Sequence, residues 1–340
     1  MYKDIRDVIQ AINTVYRTLF TDAIDAAPDN GLVSRVTQTI PTTRAIDNLA
    51  WLTDLFHVSR AVGERESIGG FASEYLLRNE VYRGSKSISV VDIEDGNYIG
   101  RAESIAAGLA AAYTRAKNRQ VQALMTNAFT VPSAANGLNT IDGAAFFSAS
   151  HPWWSLETLK ANGTETSKLN ADGTFSNFGT AVFSEDALWD AYENFMLMKN
   201  HYGDPAEVMP NLLVVGPTNA RLANTILKAS NITREVSAGV YVNEANDTAG
   251  MFEVLVDRTL GTSPKWFLYD TSSETKPFLI VNRKDPQFQT NGNVSFDESV
   301  TAGVVPSTVY HEEEIQFGVR GRFGVGYGLP YYAFGSTGTV

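Results

Sequence analysis

The chain has no cysteine, which excludes disulfides and thiolate metal sites. It has four histidines, His57, His151, His201 and His311, and none sits in an HExxH or His-x-His pattern. No apolar run approaches the roughly 18 residues that a membrane span requires. The first stretch, MYKDIRDVIQAINTVYRTLF, mixes charges with its apolar residues and lacks the unbroken apolar core of a signal peptide. Cations are the minority, 27 against 38 acids, for a net charge of −11. A global nucleic-acid footprint is therefore missing, although a local basic face stays open. These absences point to a soluble protein made in a cytoplasm, where the Asn-Gly-Thr at Asn162 is of no consequence for glycosylation. At 340 residues the chain is long enough for a sizeable core and about two domains.

Chemical motifs are scarce too. The segment Phe317–Gly338 holds seven glycines and six aromatics. Its Gly324-x-Gly326-x-Gly328 spacing is one residue short of a dinucleotide fingerprint, and Pro330 bars the helix that should follow. Phe317, Val319 and Phe323 alternate with Arg320 and Arg322, which is a strand pattern. His311 precedes three glutamates, but in a strand only His311 and Glu313 share a face, so a solvated charge run is expected there. Asp92, Glu94 and Asp95 stand where acids favour a helix dipole. No G-x-S-x-G elbow is present, and Gly335-Ser336-Thr337-Gly338 has no acid or histidine after it. Ser148–Trp154, with Trp153 and Trp154, is the oddest stretch; packing is the favoured reading, and stacking on a ligand stays open.

The pattern along the chain predicts an amphipathic helix from Ile5 through Tyr16, ending near Ala27–Gly31, then an extended stretch and a short helix over Ala50–Phe56. Val62–Gly96 is rich in charge and glycine. Its runs EYLLRNEVYR and SKSISVVDI, on either side of a polar turn, predict a long hairpin projecting from the body. An alanine-rich helix is predicted over Tyr98–Asn127, with Ile99, Ala102, Ala106, Leu109, Tyr113, Ala116, Gln120 and Leu124 on one face and a length of roughly 45 Å. Ser184 is a predicted N-cap, with Glu185 and Asp186 in the first turn. NLLVVGP predicts a buried strand, TNARLANTILKAS a helix, and FEVLVDRTL, KWFLYD and KPFLIVNR further strands of a mixed α/β unit.

Several ordered stretches resemble the Mu-like phage major head subunit family: IPTTRAIDNLAWL, VGERESIGGFASEYLLRNE, DIEDGNYIGR, DGAAFFSASHP, NLLVVGP, WFLYD with KPFLIVNRKD, and the Gly/aromatic end. The resemblance implies an α+β chain with the HK97-like phage capsid fold. An N-terminal arm and the start of the P-domain would cover 1–61, the extended E-loop 62–96, and the P-domain 97–205 with its spine helix at 98–127. The A-domain would cover 206–300, and a return strand to the P-domain 301–340. Residues 155–180 match poorly.

The implied role is a structural major capsid protein, not an enzyme. It would form hexamers and pentamers of an icosahedral tailed-phage head around double-stranded DNA and need no cofactor or metal. Implied partners are other copies of the chain, a separate scaffold protein, a portal protein and packaged DNA held without sequence specificity, with no membrane. The place would be the virion, and the host cytoplasm during assembly. Because only 97 residues precede the spine helix, no fused scaffolding domain is expected. Lys86 is the only lysine of Val62–Gly96 and is not at its tip, so a shell without covalent crosslinks is expected. Candidate intersubunit contacts are Glu64, Arg65, Arg78, Glu80 and Arg83. The alternatives are a cellular compartment shell of the same fold and a soluble α/β enzyme with a ligand site near Trp153–Trp154.

Overall fold

The structure is a computed structural model that describes residues 17–26, 31–49, 52, 75–89, 91, 99–133, 137–153, 173–200, 204–237, 240–290 and 314–339. Residues 17–25 are helical; the earlier part of the predicted N-terminal helix, and the helix predicted over Ala50–Phe56 apart from Leu52, lie outside the described residues. In chain order the strands are β1 (Thr37–Pro41), β2 (Ile46–Asn48), β3 (Leu76–Arg78), β4 (Glu80–Ser89), β5 (His151–Trp153), β6 (Gly173–Phe175), β7 (Phe178–Gly179) and β8 (Leu212–Val215). They continue as β9 (Asn231–Ser237), β10 (Val240–Ala245), β11 (Glu253–Val256), β12 (Trp266–Tyr269), β13 (Phe278–Thr290), β14 (Glu314–Tyr327) and β15 (Ala333–Ser336). The main helices are α1 (Ile99–Asn127), α2 (Glu185–Met196) and α3 (Pro217–Lys228). Among the described residues no helix is long and apolar enough to cross a membrane.

Two sheets organise the chain. The first runs β1-β13-β14-β4, with β1 parallel to β13 and the other pairs antiparallel. The alternation read in the sequence is real: Phe317, Val319 and Phe323 are buried while Arg320 is exposed. The buried residues meet α1, whose 29 residues span roughly 43 Å at 1.5 Å per residue. Of the predicted face Ala106, Leu109, Tyr113 and Leu124 are buried and Ala116 and Gln120 half-buried, and Ala110, Val121 and Met125 widen the stripe.

The second sheet runs β11-β8-β12-β15-β7. Its central strands, Leu-Leu-Val-Val in β8 and Trp-Phe-Leu-Tyr in β12, are buried at every position, as strands covered on both faces must be. Leu213, Val215, Trp266, Leu268 and Phe334 pack under α2 and α3. Leu212, Val214, Phe267 and Tyr269 face the other way and join α1 and the first sheet in one core. The α2 cap is the predicted one: Ser184 Oγ accepts from the Ala187 amide at 3.1 Å. Strands β9 and β10 form a separate two-stranded ribbon.

One expectation is corrected. The turn expected at Gly84, between the runs ending at Arg83 and beginning at Ser85, is not there; Glu80–Ser89 is a single strand bonded along its whole length to β14. A local turn preference gives way because β14 offers the backbone a ten-residue ladder. Strands from the expected 206–300 and 301–340 regions are also shared between the sheets, since β13 pairs with β14 and β15 with β12. Likewise α2, from within 97–205, packs over the second sheet.

Candidate functional site

Among the described residues, a buried polar cluster around His151 has the most reactive-looking arrangement. His151 Nδ1 lies 2.6 Å from Asp142 Oδ2, both side chains being 1% exposed. On the other side of the ring, Nε2 is 3.0 Å from Asn177 Oδ1 and 3.2 Å from the Phe146 carbonyl, and the ring stacks on Phe175. Asn177 is itself fully engaged. Its Nδ2 donates to the Phe146 and Pro330 carbonyls at 2.8 and 2.9 Å, and its Oδ1 accepts from the Ser148 amide at 2.9 Å. A carboxylate–imidazole pair activates a nucleophile only when a hydroxyl or thiol stands at the free ring nitrogen. Asn177 occupies that place, and Ser148 Oγ is turned to Ser150. The cluster is a clasp joining loop 142–150, the β6–β7 connection and the turn at Pro330.

Sequence reasoning singled out the stretch around His151 but missed Asp142 and Asn177. The Asp-x₈-His spacing in DGAAFFSASH was the available signal, and it is a weak one. The side chains of Trp153 and Trp154 lie outside the described residues, as do His57, His201, His311 and Glu313. Among the described residues no group of histidines and acids fits a metal ion.

The surface candidates fall on the first sheet. Glu64 and Arg65 lie outside the described residues. Arg78 is exposed at the end of β3, which pairs with β2. Glu80 and Arg83 are exposed on β4, an edge strand of its sheet. Charged residues on an edge strand discourage indiscriminate pairing with other chains. Arg83 lies directly opposite Arg320, and Arg322 opposite Lys284. Like charges facing each other across a ladder are destabilising, and here two such pairs of cations stand in a chain of net charge −11.

The face of β4 and β14 turned towards α1 is closed by aromatics. Tyr82 stacks on Phe323 with centroids 4.0 Å apart, and Tyr113 of α1 meets Phe323 edge-on at 5.9 Å. Burial, followed by the charges of Asp285 and Tyr82, pushes the Tyr113 hydroxyl up to about 12. Gly321 makes the slot for that hydroxyl, because a Cβ there would collide with Tyr113.

Comparison with solved structures places the fold. Over 98% of this chain and 76% of the other, the structure superposes on the procapsid of bacteriophage JBD30 with a TM-score of 0.55 and 19% identity. A virus-like particle from Pyrococcus furiosus aligns over 94% of this chain and 97% of its own, with a TM-score of 0.47 and 8% identity. The capsid of an empty GTA particle aligns over 92% and 91%, with a TM-score of 0.47 and 10% identity. No curated protein matches the sequence. The profile of the family described as Mu-like prophage major head subunit gpT matches residues 9–184, 179–260 and 243–340. The architecture is that of the HK97-like phage capsid proteins, and the chain belongs to the Mu-like prophage major head subunit family.

Proposed function

We propose that copies of this major head protein close into hexamers and pentamers of an icosahedral shell. The family match running from residue 9 to residue 340 carries this reading, and the likeness to a procapsid subunit over 98% of the chain supports the fold it needs. Assembly of this kind rests on many repeated weak contacts, so no single pair must be strong. Rings around five- and six-fold axes require head-to-tail surfaces.

In this reading α1 and the four-stranded sheet are the P-domain, with α1 as its spine. The five-stranded sheet with α2 and α3 is the A-domain. The segment 62–96, of which Glu80–Ser89 joins the four-stranded sheet as β4, is the E-loop laid on a neighbour. Arg78, Glu80 and Arg83 are intersubunit contacts, joined by Glu64 and Arg65. The role is structural, without catalysis or cofactor, and the engagement of His151 Nε2 by Asn177 supports it. Assembly takes place in the host cytoplasm with a separate scaffold protein, a portal occupies one vertex, and DNA is packed against the inner face without sequence readout.

Size-exclusion chromatography with light scattering tests this directly. The expected result is capsomers or megadalton particles; a stable monomer or small oligomer under all assembly conditions overturns it.

A further inference from the structure

The second sheet carries its two helices on one face but towards opposite edges. α3 packs on β11 and β8, and β11 is an edge strand; α2 packs on β15, next to the other edge strand, β7. Their outward surfaces are opposite in character.

α2 and the residue after it leave large apolar side chains in solvent, Trp189 at 37%, Met196 at 48% and Leu197 at 70% exposure. Exposed acids, Asp186, Asp190 and Glu193, lie among them, and EDALWDAYENFM has no cation. Tyr192 marks the flank of α2 that meets Phe252, at 6.0 Å. With 3.6 residues per turn, Asp186, Asp190 and Leu197 fall on the other flank. There a pocket of about 440 Å³ opens between α2 and β6, lined by Asp190, Glu193 and Leu197 on one side and Thr174 and Ser176 on the other, with Lys199 also contributing. α3 is the complement. PTNARLANTILK has two cations, Arg221 and Lys228, and no acid. Arg221 and Lys228 are exposed and, seven residues apart, share one stripe, with Leu222, 43% exposed, about 100° round the helix from Arg221.

We propose that the pocket beside α2 receives α3 of a second copy. Arg221 of the incoming helix seats between Asp190 and Glu193, and its Leu222 covers Leu197. The occupant is a second copy because the same subunit carries both complementary surfaces, at opposite edges of one sheet. A contact of that kind is head-to-tail and repeats around an axis, whereas a two-fold contact through α2 would set acid against acid. The proposal rests on the shell reading above and adds the residues through which neighbouring five-stranded sheets meet.

The absence of cysteine makes a clean crosslinking test possible. The full chain carrying both Glu193→Cys and Arg221→Cys is assembled, oxidised and run on a denaturing gel. The expected result is a ladder of linked multimers ending at five and six copies, with no ladder from either single variant. Separately, Asp190→Lys is expected to cut particle yield about tenfold, and adding Arg221→Glu to restore it, while circular dichroism stays that of the unaltered chain. Normal shells without linkage, or a charge reversal that leaves yield unchanged, overturn this contact and leave the shell reading intact. Linkage from one single variant alone means a two-fold contact and also overturns it. An unaltered chain that forms no particles overturns the shell reading and this inference together.

Discussion

The Tyr327 hydroxyl donates to the Leu124 carbonyl oxygen at 2.9 Å, across 203 residues of sequence. Leu124 lies in the last turn of α1, where helix carbonyls have no partner within the helix. The main-chain carbonyl of Tyr327 in turn accepts from the Tyr75 hydroxyl at 2.6 Å. Two buried tyrosines thus tie the end of β14 to the long helix and to the strand region before β3. Tyr327→Phe is expected to destabilise the subunit by about 1–3 kcal/mol, because it leaves a buried carbonyl unpaired. Denaturant unfolding of the unassembled subunit checks this; an unchanged midpoint contradicts it.

Gly321 and Tyr113 set a second test. Gly321→Ala forces a methyl group against the tyrosine ring and hydroxyl, and overpacking of this kind costs about 1–3 kcal/mol. Gly84 is the control. The nearest atom to a Cβ there is Val319 Cγ1 at 3.8 Å, so Gly84→Ala should stay within about 0.5 kcal/mol of the parent. Equal effects of the two substitutions would show that α1 is not seated on β14 through this slot.

Buried phenols give the subunit an alkaline limit. Desolvation raises the ionisation of Tyr75, Tyr269 and Tyr327 well above the ordinary tyrosine range, and that of Tyr113 to about 12. An unfolded chain loses these protons near pH 10, so between about 10 and 12 the unfolded state binds fewer protons than the folded one, and stability falls as pH rises. Below pH 10 the contribution of Tyr113 is intact. Absorbance at 295 nm should show ordinary tyrosines ionising near pH 10 and a second group appearing only with unfolding. A single smooth titration of all 14 tyrosines would contradict the packing described.

Arg83 separates folding from assembly. Because it opposes Arg320, Arg83→Glu creates an opposite-charge pair and should stabilise the isolated subunit by about 0.2–1 kcal/mol. If Arg83 contacts a neighbour, the same change lowers shell yield. A thermal melt beside a particle count reads both; normal yield removes Arg83 from the contacts.

Asn177 tests the clasp. Its side chain makes four hydrogen bonds in a residue at 0% exposure, and Asn177→Ala strands their partners. A loss of at least about 3 kcal/mol is expected from several buried groups left unpaired, read as a lower urea midpoint. A near-neutral effect would mean that the loop, the β6–β7 connection and the Pro330 turn are held some other way.

The features that could be read from the sequence were those fixed by near neighbours. α1 shows its stripe at 3.6-residue spacing, α2 its Ser184 cap, and β8 and β12 their unbroken apolar runs. The fate of Glu80–Ser89 could not be read locally, because the strand that pairs with it begins at Glu314. The clasp was hidden for the same reason, with His151 bonded 9 residues back and 26 residues forward. The seven glycines of Phe317–Gly338 can be counted in the sequence, but only the fold names Tyr113 as the neighbour of Gly321 and Phe147 as that of Gly335. The complementary stripes of α2 and α3 were visible as composition; their meaning needed the sheet that sets them at opposite edges.

Cryo-electron microscopy of particles formed by the full chain tests the central claim most directly. The account predicts closed icosahedral shells in which five and six subunits ring each axis, with the five-stranded sheets meeting edge to edge there. Homogeneous particles without five- and six-fold rings, or a chain that stays a small discrete oligomer under all assembly conditions, would contradict it.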